Sequence, residues 1–323
     1  MLIPVLLFVL GLVLLIKGGD WFVDGACGIA HKFHIPELLI GATVVSIGTT
    51  LPEVMVSATS AVSGHPEIAY GNAIGSVICN TALIAAITVA VRPGAVERKS
   101  LTTPVLFFFA ACVVYMFSAY CLGSFPRWIG IVFLVMFAAY IGVNVRDAMG
   151  STGAEADDDE DVPAGTGSTP KDIGFLVLGA ALIAVGADLL VDNGTLIASA
   201  LGVPESVIAL TFVALGTSLP ELVTAITSLA KGHGSLSLGN VIGANLFNLV
   251  LVCGASVTLA PFDVPCSSTV FGRNTSLAVE IPVMLGVMLL LTVPALIRGK
   301  LSRWQGALLL CIYACFCAFQ FMI

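Results

Sequence analysis

The chain carries an internal duplication. Adding 168 to residues 18–84 lays them on 186–252 without a gap, and 26 of the 67 paired positions are identical. The identities include polar and helix-breaking residues. Gly18 falls on Gly186, Asp20 on Asp188, Asp24 on Asp192, Pro36 on Pro204 and Glu37 on Glu205. Thr49 falls on Thr217, Pro52 on Pro220, Glu53 on Glu221, Asn72 on Asn240 and Asn80 on Asn248. A fold for this chain must be built twice from one plan.

Composition says where that plan lives. Charged residues are 10%, hydrophobic residues 58% and the mean hydropathy is +1.05. An ordinary globular domain carries about 25% charged residues, and a soluble surface of this size could not be covered with so few. A soluble enzyme, a disordered chain and a nucleic-acid binder are excluded. The net charge of −7 includes six acids packed between Glu155 and Asp161, and the remainder is near neutral. The nine cysteines form no CxxC pair and lie mostly in apolar runs, so they read as small apolar filler rather than disulfides or a zinc site. The apolar N-terminus has no basic region before it and reads as a retained first helix, not a signal peptide.

Ten stretches are apolar and long enough for a spanning helix: 3–30, 37–63, 67–91, 101–120, 126–146, 172–199, 205–231, 235–260, 275–297 and 303–322. The polar stretch 148–171 divides them. The expected fold is an all-α integral membrane protein of ten transmembrane helices, with 1–147 and 172–323 as five-helix repeats. Five is odd, so the second copy crosses the bilayer inverted, the pattern of secondary transporters with a site between the repeats near the midplane. With the N-terminus outside, inner loops hold Lys32, Arg92, Arg98, Lys99, Arg146, Lys171, Lys231, Arg298, Lys300 and Arg303; outer loops hold Arg127 and Arg273. That bias places both termini outside and 148–171 in the cytoplasm of a cell bounded by its plasma (inner) membrane. The acidic run within 148–171 reads as a solvated linker.

Two carboxylates stand inside apolar helices, Glu53 and Glu221, at equivalent repeat positions. Ionisable groups in mid-membrane mark functional sites. Ser46, Thr49, Thr50 and Glu53 share one helical face by their spacing, and Ala214, Thr217, Ser218 and Glu221 repeat it. Pro52 and Pro220 lack an N–H, so each helix should kink and free a carbonyl one turn from its carboxylate. Asn72, Ser76 and Asn80 form a second face, mirrored by Asn240, Ala244 and Asn248. Asn72 and Asn240 also suit plain packing beside Gly71, Gly75, Gly239 and Gly243. All these groups are oxygen donors, which suits Ca2+ or Na+ and not zinc or copper. Two ionised Glu are balanced by one Ca2+ or by two Na+, the arithmetic of an exchanger. Asp20, Asp24, Asp188 and Asp192 read as structural or interfacial. Glu37 and Glu205 suit first helical turns, and His65 and His233 suit turns on opposite membrane faces.

The motifs GTTLPE (48–53) with GNAIGSVICN (71–80), and GTSLPE (216–221) with GNVIGANLFN (239–248), resemble the paired alpha-repeats of the calcium/cation antiporter superfamily, closest to its prokaryotic sodium/calcium exchangers. The resemblance implies Ca2+ extrusion driven by Na+ entry, with helices 1 and 6 sliding past a core. By position it implies ion ligands at Thr49, Thr50, Glu53, Ser76, Asn80, Thr217, Ser218, Glu221 and Asn248, with the carbonyls of Ser46 and Ala214. Ala244 departs from the usual Ser. Asn248 stands where the potassium-dependent branch has Asp, which argues against K+ dependence. The expectation is a non-enzymatic antiporter with a monomeric functional unit, no cofactor and Na+ and Ca2+ as cargo. An H+/Ca2+ antiporter is the alternative and a cation channel the distant one. An enzyme is disfavoured because neither HExxH nor GxSxG occurs.

Overall fold

The computed structural model describes every residue except 1, 34, 36, 152–167, 201–215, 267–268, 271, 321 and 323. Helices dominate: α1 (Leu2–Lys32), α2 (Leu38–Val62), α3 (Pro66–Val91), α4 (Arg98–Leu122), α5 (Arg127–Ser151), α6 (Thr169–Ala200), α7 (Leu219–Ala230), α8 (Gly234–Leu259), α9 (Ser276–Arg298) and α10 (Arg303–Gln320). Among the described residues, eight are long and apolar enough to cross a membrane. The other two are α7, with 12 residues, and α10, with 18 less apolar ones. The seventh expected span began at 205, and 205–215 lie outside the described residues, as do Pro36, Pro204 and Glu205, and the whole acidic run Glu155–Asp161.

The centre of the bundle is α3 and α8. Of their apolar windows 72% and 83% is buried, against 22% for α1 and α6. Those two outer helices pack on each other along most of their length, and glycine sets how closely. A Cβ placed on Gly18 would lie 2.9 Å from the Gly179 carbonyl oxygen; on Gly25, 2.5 Å from that of Asp172; on Gly186, 2.9 Å from that of Gly11. The pairs run in opposite directions along the sequence, so α1 and α6 are antiparallel. Trp21 stacks on Phe175 with ring centroids 5.7 Å apart. Backbones that touch directly maximise dispersion contact where no hydrophobic drive exists between helices.

The α2–α8 crossing is as tight. A Cβ on Gly41 would meet the Leu236 carbonyl at 2.5 Å, one on Gly243 would lie 2.6 Å from the Ala42 Cα, and one on Gly239 would collide with the Leu38 carbonyl. The start of α2 packs on the first half of α8, and α2 from Ser46 onward reaches the second half of α8, so the helices run parallel. Tyr140 of α5 donates to the Ala42 carbonyl at 2.9 Å and steadies the same stretch.

Short loop pairings stitch the two ends of the bundle. At one end β1 (Ser124–Phe125) pairs antiparallel with β2 (Phe262–Asp263), over a cluster of Tyr70, Tyr115, Phe125 and Phe133. Nearby β3 (Thr269–Val270) pairs with β4 (Arg273–Asn274). At the other end Ala95 bridges Lys300, with Val96 N–H donating to the Gly299 carbonyl at 2.9 Å. Lys231, in the α7–α8 turn, reaches Asp24 Oδ1 of α1 at 2.7 Å and the Asp20 carbonyl at 2.9 Å, which agrees with the structural reading of those acids. Arg92, Arg98, Lys231, Arg298 and Lys300 gather at this end, and Arg127 and Arg273 at the other.

Candidate cation site

The two motif pairs meet at the centre. Ser46, Thr50, Glu53, Asn80, Glu221 and Asn248 are fully buried, Thr49, Ser76 and Ser218 nearly so, and Thr217 partly. Ala214 lies outside the described residues. The halves cross-link reciprocally. Thr49 Oγ1 donates to Asn240 Oδ1 at 3.3 Å, and its equivalent Thr217 Oγ1 donates to Asn72 Oδ1, the equivalent amide, at 3.1 Å. Asn72 Nδ2 continues to Ser57 Oγ at 2.8 Å and the Glu53 carbonyl at 3.3 Å. Ser46 Oγ lies 2.8 Å from the Gly41 carbonyl and 2.9 Å from the Asn240 carbonyl, two acceptors for its one proton. Asn72 and Asn240 thus act as struts between the repeats.

Asymmetry appears where Ala244 replaces the serine. Ser218 Oγ meets Ser76 Oγ at 3.5 Å, whereas Thr50, its counterpart, has no hydroxyl at 244 to meet and approaches Glu221 Oε1 at 3.5 Å instead.

Among the described residues the remaining oxygens have no partner. Both carboxylate oxygens of Glu53, Oε2 of Glu221, and the whole amides of Asn80 and Asn248 are buried without a hydrogen bond. A buried polar group without a partner costs about 1–3 kcal/mol, and a charged one more. A bound cation would relieve the whole set at once, its charge offset by the two carboxylates. Among the described residues no group of three or more His, Cys, Asp or Glu forms; the donors are two carboxylates supplemented by amides and hydroxyls. That set fits a hard cation.

Local backbone aims these groups. Asn80 opens a π-helical turn, Asn80–Ala85, and Asn248 opens its counterpart, Asn248–Val252. Such turns widen a helix by one residue and are frequent at functional sites; nothing in the residue spacing announces them. The two proline segments differ. Pro52 sits inside a continuous helix, whereas Thr217 and Ser218 form a turn and α7 begins at Leu219. Pro220 then falls in a first turn, where a missing N–H costs nothing, and Glu221 takes the positive end of the α7 dipole. A kink in an unbroken helix is therefore the wrong picture for the second copy. Phe22 of α1 covers Gly48, and a small cavity lined by Phe22, Thr49, Pro52, Ala180 and Pro220 separates the α1–α6 pair from the site.

Two residues escaped the reading of the sequence. Asn245 is fully buried beside Thr81; its position three before Asn248 was the available signal. Glu280 is a further carboxylate within an apolar helix. It is half-buried near the β1–β2 end, with Oε1 accepting from Gln320 Nε2 at 3.2 Å, and an acid inside the span 275–297 was visible in the sequence. His65 and His233 lie in the α2–α3 and α7–α8 turns, at opposite ends of the bundle.

The sodium/calcium exchanger protein family matches residues 3–146 and 171–322. An uncharacterized membrane protein of Methanocaldococcus jannaschii is 35% identical over 311 residues, covering 95% of this chain and 94% of that one. The sodium/calcium exchanger MaX1 of Methanosarcina acetivorans is 33% identical, with 98% of each chain covered. The fold is similar to that of the sodium-calcium exchanger NCX_Mj soaked with Na+ and Sr2+, with a TM-score of 0.81, 33% identity and 98% of each chain covered. By this match across both halves, the chain belongs to the sodium/calcium exchanger family.

Proposed function

We propose that the chain is an antiporter that exchanges Ca2+ for Na+ by alternating access, binding both at the site around Glu53 and Glu221. The observation that carries this reading is the set of buried, unpartnered oxygens on Glu53, Glu221, Asn80 and Asn248. Ser46, Thr49, Thr50, Ser76, Ala214, Thr217 and Ser218 complete the ligand set, Ser46 and Ala214 through their carbonyls. The charge of two carboxylates matches one Ca2+ or two Na+, so each load neutralises the site and no third carboxylate is needed. The antiparallel α1–α6 pair supports an inverted repeat, hence ten spans in all. The gathering of basic residues at the Ala95–Lys300 end supports a cytoplasmic face there, with both termini and the β1–β2 end outside. A monomer suffices, because one chain supplies both halves of the site.

The test is 45Ca2+ uptake into proteoliposomes under an imposed Na+ gradient and, separately, an imposed pH gradient. Uptake driven by Na+ alone supports the reading. Uptake driven by the pH gradient alone replaces Na+ with H+, and dissipation of a Ca2+ gradient with no counter-ion indicates a channel.

Two further outcomes are expected. Deleting 152–168 leaves Na+-driven uptake within about twofold of the full chain, because a segment so acidic and poor in apolar residues adds no core; flux at matched expression checks this. Asn248→Asp still binds Ca2+ but makes uptake fall more steeply with acidification over about pH 6 to 8, because three crowded carboxylates repel and protons compete for them. Superimposable pH profiles for the two proteins would remove residue 248 from the ligand set.

A further inference from the structure

Two Na+ cannot sit among the oxygens that surround one Ca2+ without repelling each other, so oxygens beyond the two carboxylates bear on how Na+ is held. Asn245 of α8 is fully buried, three residues before Asn248 and on the same helical face. Its Nδ2 donates to Thr81 Oγ1 at 2.7 Å and reaches Met288 Sδ at 3.2 Å. Thr81 gives its own proton to the Val77 carbonyl at 2.7 Å, which leaves the Thr81 oxygen as an acceptor. Turning the amide round would set its oxygen against two acceptors, so the neighbours fix its orientation. Fixed in this way, the amide leaves Oδ1 buried with no donor. The duplication did not carry this device along: Val77 stands at the position equivalent to Asn245, and Leu249 at that of Thr81.

We propose that Asn245 Oδ1 is a further oxygen ligand for Na+, about one turn before Asn248 on α8, with Thr81 as the positioning residue that aims it. The proposal rests on the Na+/Ca2+ reading above. A divalent ion is held where carboxylates neutralise it; a monovalent ion tolerates a shell of neutral amide oxygens. Asn245 therefore bears on the Na+ step and not on the Ca2+ step.

The test compares the wild type with Asn245→Leu, which keeps the branching at Cγ and removes the oxygen, and Asn245→Asp, which keeps an oxygen and adds charge. Two fluxes are read in proteoliposomes: Na+-driven 45Ca2+ uptake as a function of Na+, and Ca2+/Ca2+ exchange with no Na+ on either side. The Leu variant is expected to raise the half-saturating Na+ concentration about tenfold, a 1.4 kcal/mol effect, with Ca2+/Ca2+ exchange within about twofold of wild type. The Asp variant is expected to lower the half-saturating Na+ concentration. Equal shifts in both fluxes, no shift in either, or an Asp variant as poor as Leu overturns the proposal. If the Leu variant is not monodisperse, the Asp variant decides alone, and a half-saturating Na+ concentration at or above wild type overturns it. A wild type with Ca2+/Ca2+ exchange but no Na+ dependence sinks the Na+ reading itself and this inference with it, a result visible without any variant.

Discussion

Glu53→Gln and Glu221→Gln are each expected to abolish Ca2+ uptake and to leave a folded, monodisperse protein. Removing one charge from a buried ionic cluster costs about 3–5 kcal/mol, which is roughly two to four powers of ten in affinity. Glutamine keeps the shape. For Glu53 the exchange removes no hydrogen bond to a described residue, because neither carboxylate oxygen has one; for Glu221 it touches the long Thr50 contact. Without Ca2+ or Na+ the variants should therefore melt at or above the wild-type temperature, since an unpartnered charge is gone. The measurement is 45Ca2+ uptake in proteoliposomes beside thermal unfolding in detergent. Near-wild-type exchange by either purified variant would exclude that Glu as a ligand, and loss of activity with early melting would mean the carboxylate serves the fold.

The second large effect is expected at the α2–α8 crossing. Gly243→Ala adds one carbon, and that carbon would lie 2.6 Å from the Ala42 Cα and 2.7 Å from its carbonyl oxygen. Both are backbone atoms and cannot swing aside, so the helices must separate. Overpacking of this kind costs about 1–3 kcal/mol. It also acts on the site, because Ser46 and Asn240 bond across this crossing at 2.9 Å and Thr49 bonds Asn240 from the next turn. Transport should fall at least about tenfold, since small misplacements of ligating groups are amplified in function, and the melting temperature should drop by several degrees. Gly142→Ala is the control: among the described residues nothing lies within 4 Å of its added carbon, and both readings should stay near wild type. Equal behaviour of the two variants would show that the close approach of α2 and α8 does not govern the site.

The contrast between Gly142 and Gly243 also separates what was legible in the sequence from what was not. Both are glycines in apolar helices, and residue identity alone does not distinguish them. Gly243 could be singled out because Gly75 repeats it in the other half, but which backbone it meets depends on how α2 crosses α8. The same holds for the asparagines. Spacing placed Asn72, Ser76 and Asn80 on one face, and they do line the interior. Yet Asn72 is spent on Thr217 and Ser57, while Asn80 is left without a partner at the start of a π-helical turn.

The sequence by itself determined the apolar helices, the duplication and the two central carboxylates. These follow from local composition and from a shift of 168 residues, and neither depends on packing. Glu280 was equally visible and was passed over, because it has no partner in the other half to mark it. Only the tertiary structure decided which oxygens are consumed by the protein and which stay free for a cation. Thr49 finds its amide 191 residues away and Thr217 finds its own 145 residues away. A hydrogen bond between halves exists only once α2, α3, α7 and α8 have packed, and that packing decides which hydroxyl meets which amide.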